Sequence, residues 1–118
     1  MNAWMVVSLL LNVAVLLPVC IGIARHAAWA NACYGGSAPA RGILLAVYGA
    51  ILLLSATLLL FPRPEMVAAL LLMQLLYKIA TPFTVGTLRN PVVISNLLIA
   101  AVHAITLATI VATYGLPA

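Results

Sequence analysis

The sequence predicts an all-α integral membrane protein: four antiparallel transmembrane helices in an up-down bundle. Two observations carry this expectation. Of the 118 residues, 67% are hydrophobic and 5% charged, whereas soluble domains carry roughly 25% charged residues and need them to cover their surface. A spanning helix needs ~20 mostly apolar residues, and the chain divides into four such stretches with little left over. Residues 1–118 therefore read as a single membrane domain with no soluble part.

The first span covers residues 3–24, "AWMVVSLLLNVAVLLPVCIGIA". Trp4 stands near its start, where an amphipathic ring suits the membrane interface. Pro18 removes one backbone bond inside it, a loss that neighbouring helices can absorb in lipid. Basic residues follow this apolar run rather than precede it, so it reads as a retained span and not as a cleaved leader. The connection at residues 25–37, "RHAAWANACYGGS", is the longest and has room for a short piece along the interface.

The second span covers residues 39–61, with Ser37 as a candidate helix start and Pro39 in the first turn. The turn "PRPE" at residues 62–65 is very short, so spans two and three are expected to form a hairpin. Glu65 falls where a carboxylate complements the helix dipole. The third span covers residues 65–81, and Pro82 marks its expected end. Asn90 followed by Pro91 is an N-cap with proline at the first helical position, opening the fourth span over residues 91–114.

Charge sets the expected orientation. The first and third connections and their flanks hold Arg25, Arg41, Lys78 and Arg89, against Arg63 and Glu65 on the other side. The excess of positive charge places the first and third connections in the cytoplasm and both termini on the non-cytoplasmic side. On this reading Lys78 buries its stem and sends its ammonium toward the headgroups.

Each span carries polar residues at helical intervals: Ser8 and Asn12; Tyr48 and Ser55; Gln74 and Lys78; Asn96, His103 and Thr106. Spacings of three, four and seven share a face, so one polar stripe per helix is expected, with the stripes turned toward each other. An unpaired amide in hydrocarbon costs several kcal/mol, so Asn12, Gln74 and Asn96 must find partners. The candidate ligand-binding residues are accordingly Asn12, Gln74, Lys78, Asn96 and His103. Small residues offer close helix packing: Gly42, Ala46, Gly49 and Ala50 in the second span, and the row Ala100, Ala104 and Ala108 in the fourth.

Several function classes lose their footing. The five basic residues are scattered, so no nucleic-acid track is expected. Cys20 and Cys33 form no CxxC, and no His/Cys cluster suggests a metal or redox pair. The sole acid, Glu65, starts a helix, which argues against a proton-coupled exporter. Lys78, Tyr77 and His103 are not grouped as a catalytic set, so no enzyme activity, no catalytic residue and no cofactor are expected. A haem or chlorophyll-type pigment held by His103 is the alternative, without a second ligand from this chain because His26 lies in a connection.

The layout of a long first connection, an Arg-led second helix and tight hairpins is similar to small four-helix bacterial membrane families, and no motif assigns it to one. The expected location is a cell membrane, the bacterial inner membrane. The expected function is a non-catalytic accessory or assembly subunit. Its partners would be the lipid bilayer and other membrane subunits or copies of itself. The alternative is a binder or conduit for a lipid, quinone or pigment through the polar stripe.

Overall fold

The computed structural model describes residues 2–115. The helices are α1 (Ala3–Ala24), α2 (Ala28–Tyr34), α3 (Pro39–Leu60), α4 (Pro64–Val85) and α5 (Pro91–Tyr114). Four of them, α1, α3, α4 and α5, are long and apolar enough to cross a membrane. At ~1.5 Å per residue, 22 residues match a hydrocarbon core of ~30 Å. The chain is a multi-pass, all-helical membrane protein of 43 × 28 × 22 Å.

The packing is inverted relative to a water-soluble bundle. Leu60 and Leu53 are 76% and 71% exposed, while Gln74 and His103 are 0% exposed. Lipid is as apolar as leucine, so burying leucine gains little here; sequestering hydrogen-bonding groups gains more. The polar stripes therefore turn inward, with Ser8, Asn12, Ser55, Gln74, Asn96, His103 and Thr106 all buried.

Local signals set most helix starts. Asn2 caps α1 by accepting from the Met5 amide at 2.9 Å and reaches Thr109 of α5 at 3.3 Å. Asn90 caps α5 by accepting from the Val92 amide at 2.9 Å, as expected. Proline opens α3, α4 and α5. Ser37 does not cap α3; the N-cap is Ala38, with no side-chain bond. The charged side chain of Arg41 holds that corner instead.

Two boundaries differ from expectation. Helix α4 runs through Pro82 and stops at Gly86, which takes a left-handed conformation with φ 83°. Pro82 lacks the amide that would bond the Lys78 carbonyl, and Thr81 Oγ1 donates to that carbonyl at 2.7 Å instead. The helix survives because the orphaned acceptor is satisfied. Second, α1 packs closely on α3, and α4 on α5, with α1 joining α5, whereas α3 and α4 touch only sparsely. Arg63 is extended between Pro62 and Pro64, so the short turn separates its helices rather than pressing them together.

The connection between α1 and α3 is ordered. The amides of His26 and Ala27 bond back to the carbonyls of Ile23 (3.2 Å) and Gly22 (2.9 Å), the paired bonds of a Schellman end. Its left-handed residue is His26, φ 54°, where glycine is usual. Helix α2 then folds across the bundle end.

Candidate functional site

Ser8, Asn12, Ser55, Gln74, His103 and Thr106 meet in mid-bundle from all four spanning helices. His103 Nε2 lies 3.0 Å from Asn12 Oδ1 and 2.9 Å from Gln74 Oε1, and Nδ1 lies 3.0 Å from Ser8 Oγ. Two amide oxygens facing Nε2 require the proton there, so Nδ1 accepts from Ser8. Ser8 Oγ in turn sits 2.6 Å from Thr106 Oγ1, and Asn12 Nδ2 donates to Ser55 Oγ at 3.1 Å. The Thr106 hydroxyl also faces the carbonyls of Trp4 and Val102, more acceptors than it has protons. Gln74 Nε2 is buried without a partner.

This network joins all four spanning helices. Ser8 beside His103 has the composition of a nucleophile and base, but both are 0% exposed, and none of the cavities described here reaches them. Both ring nitrogens of His103 are occupied by side chains, which leaves no lone pair directed at a pigment metal.

Lys78 and Asn96 stand apart, nearer α2. Lys78 is 4% exposed; its ammonium does not reach the headgroups as expected. It donates to Asn96 Oδ1 at 3.2 Å and lies 5.0 Å from the centre of the Tyr77 ring. The reason is positional: Gln74 and Lys78 share the interior face of α4, and Asn96 supplies an acceptor there. Asn96 Nδ2 reaches Thr81 Oγ1 at 3.5 Å.

Beside this pair is open space. A cavity of about 40 Å³ is lined by Lys78, Ser95, Asn96, Tyr34 and Tyr48, among others. A second, of about 170 Å³, shares Tyr34, Tyr48 and Asn96 and extends to Leu44, Thr81 and Val85. It lies where α3 and α4 touch only sparsely. Tyr34 and Tyr48 meet edge to face at 6.0 Å. Burial pushes the Tyr34 phenol above its ordinary pKa, and Tyr48 adds to this, so Tyr34 offers a neutral hydroxyl. Tyr77 Oη is buried and unpartnered.

Helix α2 closes this end through two fasteners that the sequence did not suggest. Arg41, 5% exposed, donates from Nη1 to Asn31 Oδ1 and the Gly35 carbonyl. Its Nη2 donates to the Ile23 carbonyl and to His26 Nδ1, both at 2.9 Å. Asn90 Nδ2 donates to the Cys33 carbonyl at 2.8 Å, tying α2 to α5. No spacing rule links positions 26, 31 and 41, because the irregular connection decides their meeting.

The small-residue rows, expected to meet another helix of this chain or of a partner, lie mostly on the outside of the bundle. Ala100 is buried, but Ala104 and Ala108 are exposed, as are Gly42, Ala46 and Ala50. The interior faces of α3 and α5 belong to the polar stripes, and the small residues fall outside them. Comparison with protein-family models, curated proteins and solved structures finds no match to this chain.

Proposed function

We propose that this protein binds a hydrophobic small molecule of the lipid or quinone class within its own bundle, without catalysing a reaction on it. One observation carries the reading: the buried ammonium of Lys78 beside the cavity under α2. A lysine at membrane depth costs about 3 kcal/mol, and such groups mark ligand or ion pathways. The adjoining larger cavity combines apolar walls from Leu44, Val85, Val92 and Val93 with a few convergent polar groups, the pattern of a small-molecule site. Of the five residues singled out from the sequence, Lys78 and Asn96 line it, and Asn12, Gln74 and His103 hold the helices around it.

The test is native mass spectrometry of protein released from its own membrane in mild detergent. A copurifying small molecule, reduced in Lys78→Met, is the expected result. A ligand-free spectrum for the wild type removes the reading.

A second reading is the accessory or assembly subunit, supported by the exposed Gly42, Ala46 and Ala50 of α3 and Ala104 and Ala108 of α5, which would let a further helix approach closely. Copurification at native expression discriminates; a partner-free monomer counts against it. For location we infer the bacterial inner membrane. The end bearing Arg25, Arg41, Arg89 and α2 would face the cytoplasm by its positive charge, with both termini outside.

A further inference from the structure

We propose that the cavity under α2 takes the anionic oxygen head of an acyl amphiphile, a carboxylate or a phosphate, with Lys78 as its counter-ion and the tail leaving between α3 and α4. This rests on the reading of the protein as a binder of hydrophobic molecules, and adds the chemistry of the head and its route.

Charge bookkeeping comes first. The chain has one acidic side chain, Glu65, which sits in the first turn of α4. Lys78 is 13 residues further along the same helix, ~20 Å away at ~1.5 Å per residue. No acidic side chain therefore reaches the ammonium. Among the described residues its one hydrogen-bond acceptor is Asn96 Oδ1 at 3.2 Å, which leaves two of the three N–H donors of an ammonium with no acceptor there. A buried charge is stable when paired, and here the pair must come from outside.

The remaining donors point to an oxygen acceptor of more than one atom. Tyr34, Tyr48 and Ser95 line the space beside Lys78. Hydrogen bonds to a charged acceptor are about twice as strong as neutral ones. An anionic head accepts from Lys78 and the hydroxyls and neutralises the ammonium; an alcohol or ester oxygen accepts too, but leaves the charge uncompensated.

Size and position then decide what is attached. Lys78 lines the smaller space, about 40 Å³, which has room for the oxygens of a head only; the adjoining space of about 170 Å³, close to the ~150 Å³ cavity that takes a benzene, holds the start of the tail and not a whole lipid. It adjoins Leu44 of α3 and Val85 of α4, where these helices touch sparsely, and Val85 is 50% exposed. A tail passing there enters the hydrocarbon directly. Helix α2, fastened by Arg41 and Asn90, covers the aqueous end, so entry from the membrane is favoured over entry from water.

The experiment measures binding to the full chain in detergent by native mass spectrometry. The probes are oleate, dioleoyl phosphatidic acid, inorganic phosphate, oleyl alcohol and a long-chain ubiquinone. Wild type is compared with Lys78→Met, Lys78→Arg and Leu44→Trp, each checked for a cooperative thermal transition. Oleate or phosphatidic acid should bind, whichever is tighter naming the source of the head. Binding should weaken on the order of tenfold or more in Lys78→Met, the worth of one charge-assisted hydrogen bond. It should persist in Lys78→Arg and fall in Leu44→Trp, which keeps the charge and fills the cavity. Inorganic phosphate binding without either amphiphile overturns the proposal. Oleyl alcohol or ubiquinone binding equally to wild type and Lys78→Met also overturns it, while leaving the broader binder reading intact. No binding by any probe overturns both.

Discussion

Arg41, in the first turn of α3, donates from Nη2 to the carbonyl of Ile23, near the end of α1, at 2.9 Å. That bond closes the corner where α1, α2 and α3 meet, and the same guanidinium holds Gly35 and His26. The planar fork of arginine presents several donors in fixed directions, which lysine cannot reproduce. Arg41→Leu removes the donor to the buried Ile23 carbonyl and to the exposed Asn31 and Gly35, at about 0.5–1.5 kcal/mol, the net worth of a hydrogen bond, for the buried one. Thermal unfolding in detergent should therefore fall clearly in Arg41→Leu and by less in Arg41→Lys. A wild-type transition in Arg41→Leu would show that the corner is held by other contacts.

Gly22 is a steric requirement. A Cβ built there would overlap Cζ2 of Trp29, so the α2 ring lies directly on the α1 backbone. Gly22→Ala must displace the ring, at about 1–3 kcal/mol for overpacking. In a Trp4→Phe background, Trp29 emission should shift to the red as the ring leaves its seat. Unchanged emission and stability would refute this packing.

Asn12 and Gln74 both touch His103 Nε2, yet their amides differ in satisfaction. Asn12 uses its oxygen on His103 and its nitrogen on Ser55, whereas Gln74 Nε2 has no partner. Asn12→Leu should cost about 1–2 kcal/mol, the upper range for interhelical hydrogen bonds in lipid. Gln74→Leu removes an unpaired buried N–H group along with one bond, and should fall within about 0.5 kcal/mol of wild type. Equal losses in chemical unfolding would mean that the Gln74 amide is paired.

Thr81 sustains α4 across Pro82 by donating to the Lys78 carbonyl at 2.7 Å. Thr81→Val should cost about 1 kcal/mol. In a Pro82→Ala background the returned amide replaces the hydroxyl, and the same substitution should become close to neutral. This double-mutant cycle isolates the bond; a cost independent of Pro82 would assign it to Thr81 packing or to its contact with Asn96.

Much of the interior was legible because helix period is a local property. Ser8 and Asn12, or Gln74 and Lys78, fall on one face whatever else the chain does, and apolar surroundings force such faces together. The long stem of Lys78 permits an outward direction, and its inward turn depends on Asn96, eighteen residues away on another helix. Pro82 carries the local signal of a stop, and the compensating Thr81 hydroxyl is visible only as a rotamer. Spacing puts Ala100, Ala104 and Ala108 on one face, but only the fold shows that Ala104 and Ala108 lie outside the polar stripe of α5.

Hydropathy and periodicity, read along the chain alone, determined the solvent, the four spans and the inward side of each, since these follow from residues within a few turns of one another. The tertiary structure decided which polar groups pair, where a charge goes without a counter-ion, and how α2 closes the end. Those outcomes depend on side-chain directions and on distances between helices, and the order of residues does not encode either one locally.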